Sequence, residues 1–187
     1  ACGVRLPAPC LDSIIQKNNR RSRVVLCCPK MTAPDNLGSL IRLGASFGIQ
    51  GILLGPGSVD PYIRRVIRVS LGTCFDFPVR SSPELFNELR ELQSRNQAVI
   101  IAAEKTDTSS ALNRSLRTSS RNGAGSDSHE VMQEDCPIFV LLGNEADGLT
   151  QQWLDLADET FHIPIQDEVD SLNVTHAAAI FLYELTR

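Results

Sequence analysis

"IPIQDEVDSLNVTHAAAIFLYEL", residues 163–185, changes character halfway along. The first part is polar and irregular, and the second is as apolar as a buried helix. Val174, Ala177, Ala178, Phe181, Leu182 and Leu185 recur at helical spacing and form an amphipathic stripe. One polar residue suffices to cap such a helix. Here Ser171, Asn173 and Thr175 crowd the seam, and Ser171 and Asn173 bracket Leu172. One of those two is therefore available for work other than capping.

Outward from this stretch, short apolar runs alternate with helical patterns. Strands are predicted at 23–28, 51–55, 75–79 (the weakest), 98–103, 137–143 and 159–165. Helices are predicted at 36–48 with Asn36 at the start, 60–72 with Pro61 in the first turn and Gly72 past the end, 82–96, 150–157 and 173–186. "AVIIAA" and "PIFVLLG" have the unbroken apolarity of strands covered on both faces. The alternation predicts an α/β fold: a mostly parallel sheet of about six strands flanked by helices. Residues 106–136, rich in Ser, Asn, Gly and charge, read as a mobile insertion between two strands. Residues 1–22 read as an N-terminal extension, and residues 23–187 as one domain.

The chain has 187 residues, 42% of them hydrophobic and 21% charged, enough for one domain with a real core. No apolar run reaches the roughly 18 residues that a membrane helix needs, and residues 1–13 lack the apolar centre of a signal peptide. No partner membrane is expected. A targeting segment could have been removed, so the expected location is the cytoplasm or an organelle matrix. Six cysteines include no CxxC pair, and the three histidines show no metal-ligand spacing. The cysteines read as reduced core fillers, and no metal is expected.

The net charge of −4 hides an asymmetry. Residues 1–100 carry 13 Lys and Arg against 7 Asp and Glu; residues 101–187 carry 5 against 15. Of the 18 basic residues 15 are Arg, the better residue for phosphate. An anionic partner held at one place fits this balance.

Three polar clusters fall at strand-to-helix junctions, where parallel sheets bind ligands. "APDNLGSLIR" (33–42) offers Asn36 as a helix cap and Arg42 on a face with Gly38 and Ala45, small residues that would let another surface approach. "LLGNEADGL" (141–149) ends a strand in Gly143, adds Glu145, and places Gly148 before a helix. The third is the opening stretch. Neither a GxGxxG fingerprint nor a Walker A loop is present.

Together, N-x-G-x-x-x-R, then G-N-E-x-x-G-L, then I-P-(x7)-S-L-N-V-(x2)-A resemble the SPOUT superfamily, and within it the SpoU/TrmH branch of RNA ribose 2′-O-methyltransferases. The resemblance covers about residues 24–186. Ala146 and Asp147 stand where the family often has a Gly, and Ile165 where Met is common. The resemblance implies a C-terminal deep trefoil knot, a homodimer with the active site near the interface, and S-adenosylmethionine as methyl donor. By the same carry-over, Ala103, Gly143, Ile163 and Leu172 hold the donor. Arg42 stabilises the attacking oxygen, and Asn36, Glu145, Ser171 and Asn173 orient Arg42 and the ribose. On this reading Ser171 starts the helix or steadies the loop, while Asn173 faces the sugar.

An RNA partner, tRNA or rRNA, needs an electropositive surface. Arg64, Arg65 and Arg68 supply one cluster, and Arg20, Arg21 and Arg23 another. No aromatic interleaving suggests base stacking. Three rival readings are a base methyltransferase on the same scaffold, a donor-binding or RNA-binding module without turnover, and a doubly wound nucleotide-binding domain of other purpose, whose phosphate motif is missing here.

Overall fold

A computed structural model describes residues 10–15, 22–112, 136–144, 147–166 and 171–187. Arg20, Arg21 and Glu145 lie outside the described residues, as do most of the 106–136 stretch and most of the N-terminal extension. The chain runs α1 (Leu11–Ile15), β1 (Val24–Cys28), α2 (Pro34–Phe47), β2 (Gly51–Leu54), α3 (Arg64–Val69), a 3₁₀ turn (Thr73–Phe75), β3 (Val79–Ser81) and α4 (Leu85–Ser94). It continues through β4 (Val99–Ala103), β5 (Ser110–Ala111), β6 (Ile138–Leu142), α5 (Gln151–Leu156), β7 (Glu159–His162) and α6 (Val174–Thr186).

Seven strands form one sheet in the order β3-β2-β1-β6-β4-β7-β5, and every pairing is parallel. Because side chains alternate along a strand, each apolar strand feeds two cores. Val24, Leu26, Val140, Leu142 and Ile101 join Leu37, Leu40 and Ile41 of α2 and Ala178, Phe181 and Leu182 of α6. Val25, Cys27, Phe139, Leu141 and Ile100 join Leu85 and Leu89 of α4 and Leu156 of α5 on the opposite face. This two-sided burial explains why the central strands read as unbroken apolar runs. The C-terminal helix α6 lies against α2 and β1, although it follows the distant strand β7.

Four sequence expectations are corrected. The sheet has a seventh strand, because Ser110 and Ala111 pair with Phe161 and His162 at the edge, and the Leu112 N–H donates to the His162 carbonyl at 2.7 Å. Residues 106–112 are thus docked rather than loose. The third strand starts at Val79, not Phe75. Pro78 has no N–H to give a ladder, though its carbonyl accepts from the Ile52 N–H at 3.0 Å. Helix α2 starts with Pro34 in its first turn and Ala33 at the cap, so Asn36 sits inside the helix. Helix α3 starts at Arg64, because Asp60 Oδ1 accepts from the Tyr62 N–H at 2.9 Å and turns the chain first.

Cys27, Cys28 and Cys74 are buried as expected, but Cys10 is exposed and Cys136 is half-buried, so these two are not core fillers. All five are free thiols. Burial, with Cys28 beside it, pushes the Cys27 thiol well above its ordinary value, which leaves it unreactive. No helix among the described residues is long and apolar enough to cross a membrane.

Candidate active site

Strands β6, β4 and β7 are neighbours, and all three point the same way. Their carboxyl ends open into a cavity of about 520 Å³, a size that suits a nucleotide-like ligand. The start of α6 forms the remaining wall. Ala103, Gly143, Ile163 and Leu172, the four positions expected to hold a donor, all line it, and so do Ser171 and Asn173.

Backbone geometry shapes the floor. The Gly148 N–H donates to the Asn144 carbonyl at 3.1 Å, and the Asn144 N–H returns a 3.3 Å bond to the Gly148 carbonyl. A Cβ on Gly143 would stand 2.6 Å from the Gly148 carbonyl carbon, so only glycine lets the two ends of this turn meet. Gly148 itself has φ +65°, a region that favours glycine.

Sequence reasoning missed Glu104. It follows β4 directly, lines the cavity, and accepts the Leu149 N–H on Oε2 at 3.1 Å. It therefore ties the end of β4 to the turn after β6. No local pattern flags it, because its partner lies 45 residues away. His162, also missed, lines the cavity with Nδ1 2.9 Å from Ser109 Oγ.

Asn173 caps α6: its Oδ1 accepts the Thr175 N–H at 2.9 Å. The capping task thus falls to Asn173 and not to Ser171. The Asn173 Nδ2 meanwhile donates to Asn36 Oδ1 at 3.3 Å, so one side chain both starts α6 and binds it to α2. Arg42 lies outside the cavity lining. It is exposed on α2, on a stripe with Asp35, Ser39 and Ser46. Gly38 does not offer a free small-residue face: a Cβ there would stand 2.7 Å from Val69 Cβ of α3 in the same chain.

Of the expected RNA contacts, Arg64, Arg65 and Arg68 are all exposed on α3. Arg65 Nε donates to Asp35 Oδ1 at 2.8 Å, which brings α3 to the first turn of α2. Arg23 is exposed too, but it precedes β1, so it lies at the amino end of the sheet, away from the cavity.

The fold and site define an α/β protein with a nucleotide-sized cavity at the carboxyl ends of three parallel strands, closed by its last helix. Residues 23–183 match the SpoU rRNA Methylase family, and the chain belongs to that family. It is 28% identical to the 23S rRNA (uridine(2479)-2′-O)-methyltransferase of Streptomyces viridochromogenes over 98% of this chain and 58% of that protein. It is 29% identical to the 23S rRNA (guanosine(2553)-2′-O)-methyltransferase RlmP of Bacillus subtilis over 88% of this chain and 58% of that one. The crystal structure of the SpoU methyltransferase AviRb from Streptomyces viridochromogenes in complex with AdoMet superimposes with a TM-score of 0.72 and 26% identity, covering 97% of this chain and 65% of that one. This chain therefore spans 58% of the length of these two relatives.

Proposed function

We propose that this chain transfers a methyl group from S-adenosylmethionine to a ribose 2′-hydroxyl of RNA. The observation that carries this reading is the convergence of Ala103, Gly143, Ile163, Leu172, Ser171 and Asn173 on one cavity at the carboxyl ends of β4, β6 and β7. The residues fit the donor: the volume suits an adenosine-sized molecule, and backbone N–H and C=O groups of the three loops can read the edges of a flat base. Ribosomal RNA is preferred over transfer RNA, because both relatives compared above are named for 23S rRNA.

When bound, the donor supplies an already activated methyl group on a sulfonium. The chain's own residues must then align the 2′-oxygen and stabilise the negative charge growing on it. Arg42 offsets that negative charge with its own positive one. A guanidinium hardly ever loses its proton, so its role is electrostatic and not that of a base. Asn173, fixed by its bonds to Thr175 and Asn36, holds the cavity edge toward α2. Glu145 completes the polar set with Ser171.

Arg42 stands outside the cavity of its own chain, and this favours a site completed by a second copy at the interface. A homodimer is part of the proposal, and so is the knotted path of the C-terminal segment. Reduced cysteines favour the cytoplasm or an organelle matrix as the setting.

Nucleoside mass spectrometry of ribosomal RNA incubated with the protein and donor tests the reading. A 2′-O-methylated nucleoside supports it, a base-methylated one replaces it with the sister chemistry, and donor binding without any product reduces the chain to a binding module. Arg42→Ala should lower transfer by about a hundredfold or more, while calorimetry shows donor affinity nearly unchanged. Equal loss of donor binding would contradict the role of Arg42.

A further inference from the structure

Three of the five exposed large hydrophobic residues among the described residues, Ile63, Leu71 and Phe75, fall in one short segment that also carries Arg64, Arg65 and Arg68. Leu71 is 74% exposed and Phe75 52% exposed. Leu71 is also held at φ +51°, a strained conformation for a leucine. The Phe75 ring stacks on the Tyr62 ring, with centroids 6.1 Å apart and planes 26° from parallel. An apolar surface is thus exposed at Leu71 and Phe75, in a segment whose helix carries three exposed arginines. The sequence hid this, because Tyr62 and Phe75 stand on opposite sides of α3 in the chain and meet only after Gly72, at φ +80°, turns the backbone.

Its position ties it to the cavity. Arg65 is bonded to Asp35, the next residue Asn36 is bonded to Asn173, and Asn173 lines the cavity. Arg42 shares the exposed stripe of α2 with Asp35. We propose that the Tyr62–Phe75 stack with Leu71 is a binding platform for one unpaired RNA base, flanked by Arg64 and Arg68 on its phosphates. The proposal rests on the methyl-transfer reading above and names part of its substrate surface. Every base has a π-face that can stack on an aromatic side chain, and arginine neutralises the backbone beside it. Charge complementarity selects RNA over a second copy of this chain, since a two-fold contact through this patch would set like guanidinium groups against each other.

The test is binding of a fluorescent oligoadenylate and of a blunt RNA duplex across a series of salt concentrations. Phe75→Leu keeps the apolar bulk and removes the ring; it should weaken oligoadenylate binding about tenfold, with the salt slope and duplex binding unchanged. Leu71→Gly, which suits the positive φ and so spares the fold, should weaken oligoadenylate binding in the same selective way. Arg68→Gln should lower the salt slope by about one unit for both RNAs. Wild-type affinity for oligoadenylate in both Phe75→Leu and Leu71→Gly, with methyl transfer to ribosomal RNA intact, overturns the platform and leaves the methyl-transfer reading standing. A drop in sedimenting mass in either variant overturns the platform in favour of a contact between copies. Failure of the wild-type chain to bind either RNA, while it still binds donor, removes both the platform and the RNA half of the functional reading.

Discussion

At the scale of single residues, two side chains hold the cavity together across long stretches of chain. Glu104 accepts the Leu149 N–H in a part-buried hydrogen bond beside the turn at Gly148. Glu104→Ala leaves that donor without its partner, and an unmade bond of this kind costs about 1–3 kcal/mol. Donor affinity measured by calorimetry should fall about tenfold, whereas Glu104→Gln, which keeps an acceptor oxygen, should recover most of it. Asn173 has two jobs that substitution separates. Asn173→Ala removes the cap of α6 and should cost about 1 kcal/mol in denaturant unfolding. Asn173→Asp keeps the cap and loses the N–H donated to Asn36, so stability should hold while methyl transfer falls. The polar seam at 171–175 was legible in the sequence as a site with one spare side chain. Which residue was spare was not legible, because that depended on Asn36, 137 residues away. Glu104 was invisible for the same reason.

Among elements, the alternation of strands and helices was legible because the central strands are buried on both faces and stay apolar throughout. What failed were the edges. The two-residue β5 is made of Ser and Ala, and its pairing comes from the free edge of β7, not from any pattern of its own. Helix α3 lost its first turn to the Asp60 side chain. Between β3 and α4, Arg80 Nη1 and Nη2 grip the Glu88 carboxylate at 2.7 and 2.6 Å, with the side chains only 18% and 25% exposed. The hydrogen bonds from Arg80 hold the Glu88 carboxyl below its ordinary range. Because the folded value lies below the unfolded one, the stabilisation is complete at neutral pH and is lost as acid protonates the carboxylate. Glu88→Gln should therefore cost about 1 kcal/mol near neutrality. Thermal melting of the two proteins should start to converge as the pH drops below the ordinary glutamate range, and meet only below the lowered value that Glu88 has in the fold.

For the molecule as a whole, strand order was beyond the sequence: nothing local says that β6 slots between β1 and β4. The apolar faces left outside the cores were equally hidden. On α6, Ile180 is 38% exposed, and Tyr183 is 54% exposed even with the Arg187 guanidinium 5.0 Å from its ring. These residues favour α6 as the seat of the proposed homodimer. Tyr183→Glu should convert a two-copy sedimentation mass into that of a single chain and reduce methyl transfer in parallel, with donor binding retained. A wild-type chain that sediments as one copy at working concentration rules the dimer out.

The cavity's last wall comes from Ser171, Leu172, Asn173, Val174, Ala177 and Phe181, all on or before a helix laid down after every strand. During synthesis, the last strand, β7, is complete at His162, before any residue of this wall has been added. The cavity proposed to hold the donor is complete only when residues 171–181 are in place, with α6 packed on α2. A stop codon between residues 163 and 170 would leave every described strand in place and remove this wall of the cavity.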